Sequence, residues 1–200
     1  MSRVGYVLCV MLVVGVGCAT EDAISDPAAT EDVSAAAAPP GSRWETQFLK
    51  NLIDDHEMAV RLASLCEDRA RHEELAALCS AMANTQAEDI HTLQGYLQDW
   101  YGIEHEPMLT ELDQRQLARL ERASGRTFEI LLLTDEIVHH KFAARRAERC
   151  QQRAVHEELL AFCAAELEAQ VDELQQLIQW LCQWYDRRVA PYMPLEITTS

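Results

Sequence analysis

His156-Glu157-Glu158-Leu159, with Cys163 four positions on, repeats His72-Glu73-Glu74-Leu75 and Cys79 at a constant shift of 84. The match extends across Phe128 to Trp184. Ile137, His140, Ala143, Cys150, Gln170, Leu177, Leu181 and Trp184 fall on Ile53, His56, Ala59, Cys66, Gln86, Leu93, Leu97 and Trp100. A shift kept through so many residue types is an internal duplication. The folded part must therefore be built from two like halves.

Each half reads as a helical hairpin. Leu49, Leu52, Ile53, His56, Ala59, Val60, Ala63 and Cys66 recur at three and four, predicting a helix over about 43–68 with His56 inside its apolar stripe. A short turn at 69–72 leads to a second stripe, Leu75, Leu78, Cys79, Met82, Gln86, Asp89, Ile90, Leu93, Leu97 and Trp100, which ends at Gly102. So short a joint makes the pair antiparallel. The second half repeats the pattern over about 127–149 and 153–187. Residues 102–125 link the halves through Pro107 and a short helix over about 111–123 that Ser124-Gly125 breaks. Alternating apolar runs are absent. The expected fold is all-α, a four-helix up-down bundle over 43–187, with repeat 1 at 43–101, repeat 2 at 126–187 and a short linking helix.

Lys plus Arg number 17 against 33 Asp plus Glu, a net charge of −16. That balance excludes nucleic acid as a natural partner and favours cations. Ahead of the bundle, Arg3 precedes an apolar run from Val4 to Val16 that is short for a membrane span and closes on Gly15-Val16-Gly17 before Cys18. It resembles a bacterial lipoprotein signal over 1–17, with Cys18 lipidated and tying the chain to the cell envelope, although Gly15 stands where Leu is usual. An ordinary secretory signal is the alternative, and either reading takes the protein out of the cytoplasm. Residues 18–42, rich in Ala, Asp, Glu, Ser and Pro, read as a disordered tether. Residues 188–200, with Pro191 and Pro194, read as a loose tail.

An oxidising compartment suits the cysteines. Cys66, Cys79, Cys150 and Cys163 are one pair written twice, as a duplicated disulfide hairpin would leave them. Cys66–Cys79 and Cys150–Cys163 are the expected bridges. Two crossed pairings are equally symmetric, and four buried thiols are a further alternative. Cys182 has no counterpart and is expected to be a buried free thiol.

Chemistry concentrates where polar residues interrupt the stripes. His56 and His140 are equivalent, preceded by Asp55 and His139. Facing them should be Met82, Gln86 and Asp89 from one half and Glu166, Gln170 and Glu173 from the other, each trio on one helix face. Polar groups inside an apolar stripe are costly unless they pair or hold a cation. Imidazole with carboxylate suits zinc, iron or manganese, and imidazole with thioether suits copper. The di-iron pattern Glu-x-x-His occurs at Glu88–His91 and Glu136–His139, but Glu88 faces away from the core, so a metal-pair oxidase is not expected. His72 and His156 open the second helices beside acids that suit a helix start.

These residues resemble the bacterial domain of unknown function 305 family. Phe128-Glu129, Ile137, His139-His140, Ala143-Ala144, Gln170, Glu173-Leu174 and Trp180-Leu181 follow its pattern closely. Ile53, Asp55-His56, Gln86, Asp89-Ile90 and Tyr96-Leu97 follow it more loosely. The resemblance implies a ferritin-like bundle in an exported protein, and copper binding through histidines and methionines in some members. Asp135 and Glu136 stand where methionines are common, which shifts the donor set towards harder cations. The resulting expectation is a non-enzymatic envelope lipoprotein that binds copper or another divalent ion. His56, His139, His140, Asp55, Glu136, Met82, Asp89, Glu166 and Glu173 are its candidate ligands. A purely structural or protein-interaction lipoprotein is the alternative.

Overall fold

The computed structural model describes residues 42–188; the signal, Cys18, the tether and residues 189–200 lie outside the described residues. Five helices follow in order: α1 (Ser42–Arg69), α2 (Glu73–Tyr101), α3 (Glu111–Arg122), α4 (Gly125–Arg153) and α5 (Glu157–Tyr185). The fold is all-α, as expected. α4 starts earlier and ends later than its stripe suggested, because Ser124 stays extended and Gly125, at φ 54°, turns the chain directly into it. The joint to α5 then falls at 154–156, the equivalent of 70–72.

Each hairpin runs up and down, and a crossover joins the two. Glu45 near the start of α1 binds Val155 and His156 at the end of α4, while Glu129 near the start of α4 binds Arg71 and His72 at the end of α1. α4 is therefore antiparallel to α1, and the link must return along the whole bundle. A helix of 29 residues is about 43 Å long. The extended segment 102–110 reaches roughly 30 Å, and the 12 residues of α3 add about 18 Å. The link just suffices. Asp54 pins it midway, its Oδ1 lying 2.8 Å from His105 Nε2 and accepting from the Met108 amide at 2.9 Å. α3 is fixed by a capping box between Thr110 and Asp113.

Two apolar clusters fill the bundle. One gathers Leu75, Met82, Leu120, Phe128, Leu133, Ile137 and Leu177, the other Leu49, Ile53, Leu93, Leu97, Cys150 and Leu159. Buried alanines on α1 and α4, Ala59 and Ala63 with Ala143 and Ala147, keep the contact faces of both helices small. Both expected disulfides are present, Cys66–Cys79 and Cys150–Cys163, with Cα separations of 5.9 and 6.1 Å. Those separations lie in the ordinary range. Cys182 is free but exposed rather than buried. Leu181 and Tyr185 turn inward, and one residue past Leu181 the helix has rotated Cys182 outward.

Candidate metal centre

Between the apolar clusters lies a belt of polar side chains drawn from α1, α2, α4 and α5. His56 is 1 % exposed and, among the described residues, neither ring nitrogen has a hydrogen-bond partner. Its Nε2 lies 3.7 Å from Asp89 Oδ2, and Glu166 comes from the opposite half. One donor atom from each of His56, Asp89 and Glu166 lies within 4.8 Å of the others. Burial pushes the Glu166 carboxyl above its usual range, against the opposing pull of His56. Gln170 Nε2 donates to Glu166 Oε1 at 2.9 Å and orients it.

The second group is Glu136, His139 and His140, within the same 4.8 Å limit. His140 is fully buried, and its Nδ1 is 2.8 Å from the Glu136 carbonyl oxygen, which only accepts, so Nδ1 carries a proton. Nε2 points at Glu173 Oε2, 3.0 Å away. Either a second proton or a cation must sit between that lone pair and the carboxylate. Both Glu136 oxygens are buried without hydrogen-bond partners among the described residues, and burial drives that carboxyl upward, moderated by His140 and His139. Unpaired buried acceptors of this kind are costly in a finished core.

The two groups are related by the duplication without being copies. His56 corresponds to His140 and Asp89 to Glu173, but Glu166 corresponds to Met82 and Glu136 to Leu52. Met82 is buried in the apolar cluster with Ile137 and Leu174. Asp55 has other work: its Oδ2 lies 3.1 Å from His139 Nε2 and 2.8 Å from an Arg146 nitrogen. Burial alone would raise the Asp55 carboxyl, but His139 and Arg146 outweigh it and hold it well below the usual range. Burial likewise disfavours a charged His139, and Asp55 overcomes this to lift its pKa. The Glu88–His91 pair is exposed, so the di-iron pattern fails there as expected.

The sequence reading gave no role to Glu45, nor to Glu129, which it met only as part of the family pattern. Glu129 is fully buried and accepts from the Arg71 and His72 amides, His72 Nδ1 and the Tyr185 hydroxyl. Glu45 does the same for Val155, His156 and Tyr101. His72 stacks on Trp184 at 3.8 Å and His156 on Trp100 at 3.9 Å. Neither histidine caps its own helix through its side chain. Each hairpin's turn is instead capped by a glutamate from the other half. The signal was present in the pairs Trp44-Glu45 and Phe128-Glu129, an aromatic followed by an acid at equivalent places.

A family model described as a domain of unknown function, DUF305, matches residues 20–97 and 45–181. The chain belongs to the DUF305 family. Comparison with curated proteins returned no significant sequence match. Among solved structures, CopM in its Cu(II)-bound form is similar at a TM-score of 0.65 and 21% identity, covering 70% of this chain and 97% of that one. CopM in its Cu(I)-bound form gives 0.63 at 22% identity, with the same coverage. A Streptomyces coelicolor DUF305 protein described as secreted gives 0.64 at 20% identity, covering 74% of this chain and 97% of that one. At these identities the likeness establishes the shared fold. No described helix is long and apolar enough to cross a membrane.

Proposed function

We propose that this DUF305 chain is an exported, non-enzymatic protein, anchored to the envelope through a lipid on Cys18, that holds copper between its two halves. The observation that carries the reading is His56, buried beside Asp89 and Glu166 with both ring nitrogens unpartnered among the described residues. His140, with its tautomer set by the Glu136 carbonyl and Glu173 at its free nitrogen, offers a second position. A hydrogen bond that fixes the far ring nitrogen is the usual orientation of a metal-binding imidazole. Copper is favoured because CopM, which shares the fold, has been solved with Cu(I), Cu(II) and silver. The donors are imidazole and carboxylate, with Met82 and Met58 the buried thioethers nearby, so Cu(II) suits them better than Cu(I).

Titration of metal-free protein with Cu(II), followed calorimetrically and by thermal melting, tests the reading. Binding should raise the melting temperature. His56→Ala and His140→Ala should each remove one site. Unchanged melting in wild type and both variants would favour a purely structural bundle.

A further inference from the structure

The link fills one end of a groove that the duplication creates twice. At the filled end, α3 sits against the end of α1 and the start of α4, and Leu120 is fully buried in one cluster with Met58, Leu62, Phe128 and Leu132. Arg69 lies over the Phe128 ring at 4.5 Å and donates to the carbonyls of Leu120 and Ala123, closing the C-terminal end of α3. The start of α1 and the end of α4 form the equivalent groove, of about 390 Å³, and among the described residues nothing fills it.

The equivalent residues keep the design but change its chemistry. Phe128 and Leu132 become Trp44 and Phe48, a stacked aromatic shelf with ring centroids 4.9 Å apart. Met58 becomes Phe142, which is 58 % exposed, beside Val138 at 45 %. Arg69 becomes Arg153, held over Trp44 at 5.0 Å as Arg69 is over Phe128. Leu62 and Leu65 become Arg146 and Arg149. Arg146 is tied to Asp55, while among the described residues Arg149 and Arg153 form no ion pair with a carboxylate. A protein of net charge −16 thus carries three arginines, a half-buried Trp44 and an exposed Phe142 in one groove. Exposed apolar surface rimmed by like charge marks a place of association.

We infer that this groove receives an acidic amphipathic helix from a partner protein, seated as α3 is seated at the other end. Its apolar side rests on Trp44 and Phe142, its acids face Arg146 and Arg149, and its last carbonyls meet Arg153. The site uses none of the residues proposed to hold metal, so its failure and theirs are separable.

A synthetic peptide of the α3 sequence, Thr110–Ala123, carrying Arg115→Glu, Arg119→Glu and Arg122→Glu, is the probe. Titrated into the purified protein, it should bind and shift the emission that Trp44→Phe removes. Affinity should fall about tenfold or more at high salt and in an Arg149→Glu/Arg153→Glu variant, whose unchanged melting would show an intact fold. The unaltered, more basic peptide should bind at least as poorly. Three results would overturn the inference: no binding by the acidic peptide, equal binding to the charge-reversed variant, or binding only after residues 19–41 are removed. The last would give the groove to the chain's own N-terminal segment.

Discussion

Asp55 and His139 hold the same position in the two repeats and touch each other, Oδ2 to Nε2 at 3.1 Å across 84 residues. Only positions beside the pseudo-twofold axis can meet their own equivalents, so this contact marks the axis. The duplication has diverged there into an acid and a base. Arg146 adds a second cation to Asp55.

The pair makes stability depend on pH in a defined window. His139 is raised when folded, so its contribution is complete below about pH 6.5 and fades as pH climbs through the folded value. Asp55 is lowered, so its contribution is complete above about pH 3.9 and fades as pH falls. In chelator, wild type should exceed Asp55→Asn by about 2 kcal/mol between these limits. Denaturant unfolding at a series of pH values checks this. A difference that stays constant from pH 5 to 9 would count against the pairing.

Glu45 and Glu129 should be the most sensitive acids in the chain. Burial raises each carboxyl, but the donors around it outweigh this and lower both. Their contribution is therefore present above about pH 4.3 and lost in acid. Glu45→Ala and Glu129→Ala should each cost about 3 kcal/mol. The two lie at opposite ends of the bundle, so the double variant should lose the sum. Chemical denaturation provides the measurement, and a strong departure from additivity would mean the ends are coupled.

Thiol counting bears on the bridges. Of the cysteines from Cys66 onward, only Cys182 should label before reduction, and all five after it. Losing either bridge, at a sequence separation of 13, should cost about 3 kcal/mol. Cys150→Ser/Cys163→Ser read by thermal unfolding is the direct comparison.

α2 and α5 end alike, but Gly102 at φ 64° is replaced by Asp186 at φ 50°. A left-handed residue with a Cβ is strained by about 1 kcal/mol relative to glycine. Asp186→Gly should raise stability by up to that amount, and Gly102→Ala should lower it. Urea midpoints decide the sign.

Much of this was legible because helices repeat at three and four and because the chain states its pattern twice. The hairpins and the inward His56 and His140 follow from periodicity, whereas the duplication favoured the two cysteine pairs but left crossed pairings equally symmetric. The crossover does not: a link over 102–124 fits either a short hop or a return along the bundle, and the choice lies in distant contacts, Glu45 and Glu129 at the ends and Asp54 gripping His105 and Met108 midway. The glutamate caps were hidden because the acid and the turn it caps are separated by 57 or 111 residues. Local capping rules look only along the helix itself. Asp55 looked like a ligand because nothing in sequence shows that Arg146 and His139 already claim it.

The proposed interior metal site is tested most directly by diffraction from copper-soaked crystals at the copper absorption edge. An anomalous peak should lie about 2 Å from a ring nitrogen of His56 or from His140 Nε2, and it should vanish from the matching alanine variant. Peaks confined to exposed positions such as His91, with the interior empty, would contradict the account.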